Sequence, residues 1–395
     1  MTPSNILILS ANTGGGHASA AGALAEGFGG ISDQVRVQIA HVLENASGAT
    51  RNMSAFYNYL LRHRQDAMHA YYWLINKLRP NESRIILNEA YGYTRQLFDK
   101  VCPNALVSVH PMLQHLFAFT LKRLRLSDRV PLISVVTDPC YGFWRGWACN
   151  DVAHYFVASY GAQQQLLEYD VPAEKITVAG LPVNPKFTPV YGDERLAIRR
   201  NLGLSDDKLS VVLNAGWAGG GNFKKMLESL SRLSSDDPLT QKLEVVFIAG
   251  KNDRLRRYAE ARAAQANIPV QVFGHTQLLH RWMQASDVMV SKLGGLTTFE
   301  AMACELPLLA DCLTPPMPQE AHTASYIQAC GTGRLLHNTH DLVTQMRSLT
   351  ENPHQLQTMR NAAKRYGQPD AAHNIARQVL EMTQPHLVLP SGQPV

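Results

Sequence analysis

The sequence predicts an α/β protein built on two parallel sheets, and three observations carry that prediction. Short apolar runs at residues 6–9, 105–110, 132–137 and 211–214 alternate with longer stretches of helical period. A run too short for a helix and apolar on both faces belongs to a strand covered from two sides. Glycine clusters at 14–16 and 219–221 follow such runs and precede a helix. Finally, 395 residues exceed one ordinary domain, and Pro182, Pro185 and Pro189 make a stiff join near the middle.

The first strand, Ile6-Leu7-Ile8-Leu9, runs into Gly14-Gly15-Gly16-His17 and an alanine-rich helix ending near Phe28. Glycines let the backbone come close to a ligand, and the N–H groups at a helix start suit a phosphate. This is neither the spaced-glycine dinucleotide fingerprint nor a Walker loop. An ordinary glycine turn beside a hydrogen-bonded histidine explains the motif equally well. Residues 35–40 read as a second strand. Residues 51–79 carry Met53, Phe56, Tyr57, Leu60 and Leu61, then Ala67, Ala70, Tyr71, Leu74, Ile75 and Leu78, at helical spacing, with Arg51, Arg62, Arg64, Lys77 and Arg79 among them. Pro80 ends the run. A core-packed helical pair accounts for this period. The sharper alternative is an amphipathic element, with Tyr72 and Trp73, that docks on a bilayer.

The strand at 132–137 ends in Thr137-Asp138-Pro139, which puts a carboxylate at the end of a parallel strand, where open α/β sheets bind ligands. An Asp that forms a turn before Pro139 is the competing explanation. Strands at 155–159 and 176–180 close the first half. The second half repeats the plan, with strands at 211–214, 244–249, 269–273, 288–291 and 306–310. The stretch Lys292-Leu293-Gly294-Gly295-Leu296-Thr297-Thr298-Phe299-Glu300 opens a helix, and Thr297-x-x-Glu300 reads as a capping box.

Composition excludes several classes. Charged residues at 17% and hydrophobic residues at 45% argue against disorder. A net charge of +5 suits anionic nucleotides or an anionic membrane surface but does not imply nucleic acid. Six cysteines without a C-x-x-C pair read as reduced thiols rather than a metal site. No signal peptide is evident, and no apolar run reaches the ~18 residues of a membrane span.

Together, Gly14-Gly15-Gly16-His17, Thr137-Asp138, Gly180-Leu181-Pro182-Val183, the 292–301 segment and Pro318-Gln319-Glu320 resemble the monogalactosyldiacylglycerol synthase and processive diacylglycerol glucosyltransferase family. More distantly they resemble MurG. The resemblance implies the GT-B fold: a Rossmann-like acceptor domain (1–185) and a Rossmann-like donor domain (186–370) facing across a cleft. A C-terminal helix and tail (371–395) would cross back to the first domain. The activity implied is inverting transfer of a hexose from a UDP-sugar to a lipid hydroxyl, with no metal or other cofactor. The enzyme would be cytoplasmic and peripheral on the inner face of the cell membrane. Its partners would be the UDP-sugar, the lipid acceptor and the anionic membrane surface.

By the same resemblance Asp138 is the favoured base, with His17 as its orienting partner or a diphosphate contact. Gly15, Gly16, Gly216, Gly294, Gly295, Leu296 and Thr297 line the donor, Glu300 holds the ribose, and Gln319 and Glu320 hold sugar hydroxyls. Gly274, His275 and Thr276 match the loop that reads uracil. Arg62, Arg64, Tyr72, Trp73 and Trp144 are expected on the acceptor and membrane side. The chain lacks the family's His a few residues after the Thr-Asp pair, and Pro318-Gln319-Glu320 is followed by Ala321-His322-Thr323 in place of the family's usual residues. Glucose, galactose and N-acetylglucosamine therefore all remain open. A soluble acceptor, a sugar-nucleotide epimerase and a catalytically silent UDP-binding relative are the alternatives.

Overall fold

The computed structural model describes residues 4–383 apart from Gly14, Thr314, Pro315 and Met317; the side chains of Arg62, Gln65 and Pro318 also lie outside the description. By its internal contacts the chain divides into two units. The first comprises Met1–Thr137, Trp144–Asn184 and Asp370–Val395, and the second Asp138–Phe143 and Pro185–Pro369.

In the first unit β1 (Ser4–Ser10), β2 (Val35–His41), β3 (Ala105–Ser108), β4 (Leu132–Val135), β5 (His154–Val157) and β6 (Ile176–Val178) form one parallel sheet, ordered β2-β1-β3-β4-β5-β6. Ile6 to Leu9 are fully buried, as strands covered on both faces must be. At ~1.5–3 kcal/mol per buried large aliphatic side chain, that strand alone anchors the sheet. Strand order reverses at β1, which pairs with both β2 and β3. The crevice at their carboxyl ends is where such sheets take ligands.

The last described helix, Ala371–Thr383, belongs to this unit. Its Ile375, Ala376 and Val379 join the core of Ile6, Ile8, Leu24 and Phe28. A side chain at Gly27 would stand 2.7 Å from the Ala372 carbonyl oxygen, so only glycine lets the two helices approach this closely.

Residues 51–79 form two helices, Gly48–His63 and Met68–Leu78, joined by a single 3-10 turn. Ser47 and Thr50 close a capping box at the start, and Arg79, in the left-handed region at φ 43°, ends the second helix before Pro80. The apolar stripe does not go wholly into the core. Leu60, Met68 and Ile75 are buried, while Phe56, Leu74 and Leu78 face solvent.

The second unit is built from β7 (Leu209–Asn214), β8 (Leu243–Ile248), β9 (Val270–Phe273), β10 (Val288–Ser291), β11 (Leu308–Asp311) and β12 (Gly333–Leu336). They form a parallel sheet ordered β12-β11-β10-β7-β8-β9. Here the order reverses between β7 and β10, so the loops after these two strands share a crevice. β12 escapes the sequence reading because Gly333-Arg334-Leu335-Leu336 lacks an apolar run. At the amino end of β10 Asp287 pairs with Arg195 (2.8 Å), Arg199 (3.2 Å) and Arg360 (2.9 Å), tying helices Gly192–Asn201 and Pro353–Tyr366 to the sheet.

Candidate active site

In the first unit, the turn after β1 and the ends of β3 and β4 bring His17, His110, Thr13 and Thr137 together. His17 Nδ1 lies 2.8 Å from the Val109 carbonyl oxygen and 2.8 Å from Thr137 Oγ1. A carbonyl only accepts, so Nδ1 carries the proton and Nε2 the lone pair. Burial lowers the pKa of His17 to about 4, opposed in part by the Val109 bond, so the ring is neutral near pH 7. His17 opens the helix Gly16–Gly29, whose N-terminus favours an anion.

The second unit holds the acidic groups. Glu300 lies in the helix Gly295–Ala303 and is 8% exposed. Burial raises its pKa to about 8, and the charge of Lys186 opposes this; among the described residues no hydrogen-bond donor acts on it. The expected capping box is absent. Gly294 is the N-cap, no side chain caps the helix, and Thr297 lies within its first turn. Thr298 Oγ1 instead donates to the Gly294 carbonyl at 3.0 Å. The helix starts three residues earlier than a Thr297 cap requires, so Glu300 has no capping role.

Burial, then the charge of Asp138, raises Glu320 to about 7, opposed by the Gly295 N–H and Lys292. The segment Asp138–Phe143 thus groups with the second unit, not with the first as its place after β4 suggests. Gln319 is 9% exposed, and its Oε1 has no partner among the described residues. Lys292, which the sequence reading gave no role of its own, lies between two loops. Its Nζ is 3.0 Å from where a side chain on Gly220 would begin, and Asp311 and Glu320 partly offset the burial that lowers its pKa. Gly219 has φ +64°, and a side chain there would stand 2.1 Å from the Ala249 carbonyl oxygen, so the turn after β7 requires glycine.

Other expected residues are placed differently. Gly216 starts the glycine turn after β7 with φ +78°, and Gly15, Gly16 and Leu296 stand at their two helix starts. Gly274, His275 and Thr276 follow β9, the edge strand, two places from β7. There Thr276 Oγ1 accepts from the Leu278 N–H at 3.0 Å. Trp144 is 4% exposed, packed on Gly146, and offers no surface to a membrane, contrary to expectation. Its large ring gains more from burial than a surface position would give. Arg64 is exposed but paired with Asp66 at 2.8 Å, which offsets its charge. Tyr72 is half-buried, whereas Trp73 is 64% exposed with Lys77 Nζ 5.4 Å above its ring. Arg62 lies on the helix Gly48–His63, its side chain outside those described. No helix among the described residues is long and apolar enough to cross a membrane.

Two parallel six-stranded sheets, each with a reversal of strand order, are the α/β architecture of the GT-B fold. More narrowly, the chain is related to the diacylglycerol glycosyltransferases. Residues 17–183 match the family model for monogalactosyldiacylglycerol (MGDG) synthase, and residues 198–366 match that for glycosyl transferases group 1. Monogalactosyldiacylglycerol synthase 2, chloroplastic, of Arabidopsis thaliana is 28% identical over 393 residues, covering 96% of this chain and 81% of that protein. The processive diacylglycerol beta-glucosyltransferase of Bacillus cytotoxicus is 28% identical over 254 residues, 64% of this chain and 62% of that protein. Among solved structures, MurG of Acinetobacter baumannii superposes with a TM-score of 0.63 at 14% identity, covering 96% of this chain and 100% of that one. That likeness is one of fold.

Proposed function

We propose that the protein transfers a hexose from a UDP-sugar to the hydroxyl of a diacylglycerol-type lipid, with inversion at the anomeric carbon. The observation that carries this reading is Glu300, a buried carboxyl group with no hydrogen-bond donor among the described residues, on the helix that starts at the crevice of the second sheet. A pair of ribose hydroxyls would supply those donors. The names of the relatives support the lipid acceptor. Gln319 and Glu320 suit the hexose hydroxyls, one with a spare acceptor oxygen and the other close to half-protonated at neutral pH.

His17 is the better base. Its Nε2 takes the acceptor proton as the acceptor oxygen bonds to the anomeric carbon, and the sugar–phosphate bond breaks with its electron pair leaving on UDP. An anion at the start of the helix Gly16–Gly29 raises the pKa of His17 and strengthens it in that role. Asp138, whose charge acts on Glu320, serves the donor side in this reading. Lys292 and the backbone N–H groups of the glycine turns meet the charge developing on the diphosphate, so no metal is required. The exposed Phe56, Tyr59, Trp73, Leu74, Leu78 and Ile85 suit peripheral attachment to the membrane that carries the acceptor.

The test is incubation with UDP-glucose, UDP-galactose and UDP-N-acetylglucosamine, each with diacylglycerol and with a membrane lipid extract, following product masses with and without a chelator. A β-linked hexosyl lipid formed equally in chelator is the expected result. Free epimerised sugar nucleotide with no acceptor product would instead identify an epimerase. UDP binding without turnover would identify a silent relative.

A further inference from the structure

His110 ends the run after β3 and has no role in the transfer as described, yet it is buried against the group that does. Its ring centroid lies 4.5 Å from that of His17, at an interplanar angle of 60°. Both of its nitrogens are engaged. The Met112 N–H donates to Nδ1 at 3.2 Å, so Nδ1 holds the lone pair and Nε2–H donates to Thr13 Oγ1 at 2.8 Å. Thr13 lies in the turn that leads into the glycines before His17, so this one imidazole braces both that turn and the His17 ring.

We propose that His110 is a positioning residue that holds the His17 ring in its working orientation and walls it from water. The proposal rests on His17 being the base. Two opposite commitments make the pair work. The Val109 carbonyl leaves His17 with a usable lone pair, while the Met112 N–H and Thr13 leave His110 with none. The proton of the acceptor therefore has one imidazole to go to. The surroundings keep the pair neutral. Among the described residues it is the charge of His17 that acts on His110, and burial and the Val109 bond act on His17. Thr13 and Thr137 are uncharged, as is Trp147, whose ring lies 6.3 Å from that of His17. Glu44 accepts from the Asn12 N–H at 2.9 Å and from Ser54 Oγ at 2.8 Å.

The experiment compares the full-length protein with His110→Ala, His110→Gln and His17→Ala. It measures kcat and KM against pH, and follows the His17 imidazole by 15N NMR. In the unsubstituted protein the acid limb of kcat/KM, which reports the enzyme free of UDP-sugar, falls only towards about pH 4. Removing the ring in His110→Ala admits water, so both the limb and the NMR titration of His17 move up towards 6.5, the ordinary value. In the same variant kcat drops roughly 10²-fold, with little change in KM for the UDP-sugar. His110→Gln puts an N–H near the position of Nε2–H and recovers part of the rate. A folded His110→Ala whose His17 titrates as before, with its lost activity tracking lost melting temperature, overturns the proposal. The His17→Ala variant separates the two readings. Retained turnover there removes the base assignment itself, whereas an inactive His17→Ala beside an unshifted His110→Ala removes only the part given to His110.

Discussion

Glu300 and His17 respond to pH in opposite directions, and each response can be measured without substrate. The folded pKa of Glu300 is raised to about 8 by burial, so the folded protein keeps a proton that the unfolded chain loses above its ordinary carboxyl pKa. The folded state then binds more protons, and stability falls as pH rises from about 4.5 to about 8. Glu320, at about 7, acts in the same direction. Glu300→Gln removes its share of that loss. The variant should melt higher than the unsubstituted protein at pH 8, by a few kcal/mol at most, and no higher at pH 5. Equal melting at both values would mean that the carboxylate is solvated and not waiting for a ligand. His17, lowered to about 4, has the reverse sign. The unfolded chain binds the extra proton between 6.5 and about 4, so its burial costs stability as the solution is acidified through that window.

The helices Gly48–His63 and Met68–Leu78 show what an element-level pattern leaves open. Their stripe is split: Leu60, Met68 and Ile75 hold them to the first unit, and Phe56, Tyr59, Trp73, Leu74 and Leu78 remain outside. A helix that used its whole apolar face for packing would not leave Leu78 66% exposed. Replacing Trp73 and Leu78 with serine should therefore leave the melting temperature nearly unchanged and weaken sedimentation with anionic vesicles. At about 25 cal/mol per Å² of apolar surface, two large side chains account for a tenfold or greater loss. Because Arg64 is paired with Asp66 and Arg79 lies 3.8 Å from Glu82, the salt dependence should be shallow. Equal vesicle binding by the variant would leave these helices without a membrane role.

Across the whole molecule, the candidate site residues lie past the carboxyl ends of the strands, and the second sheet carries its structural ion pairs at the amino end of β10. Asp287 there holds three arginines, of which Arg199 also meets Glu244 at 3.2 Å with its side chain 1% exposed. Cutting the shared partner strands buried cations, which typically costs about 3–5 kcal/mol. Asp287→Asn should thus lower the melting temperature by roughly 10 °C, given the size of the unit. UDP affinity of the folded fraction, measured by calorimetry, should be unchanged, because the network stands at the end of the sheet away from the crevice. A large loss of affinity in folded protein would contradict that separation.

The strands other than β12, the glycine turns and the position of His17 at a helix start were legible in the sequence because each depends on neighbours a few residues away. Ile6 to Leu9 are apolar on both faces, and that pattern has one common explanation, a strand inside a layered sheet. The glycine turn after β7 can be read the same way, since a left-handed φ selects glycine wherever it occurs. Three-dimensional packing decided the rest. Thr297 and Glu300 have capping-box spacing, but the helix begins at Gly295, which leaves Glu300 buried within it and without a capping role. Trp144 sits in an aromatic, surface-like stretch, yet a bare Gly146 gives its ring a buried place. His110 carries no local signal at all. Its part depends on Met112, Thr13 and the His17 ring, and Thr13 and His17 lie more than 90 residues away along the chain. A sequence orders its near neighbours by propensity and sterics, but which nitrogen of a buried imidazole keeps its proton is decided by whichever donors and acceptors the fold brings against it.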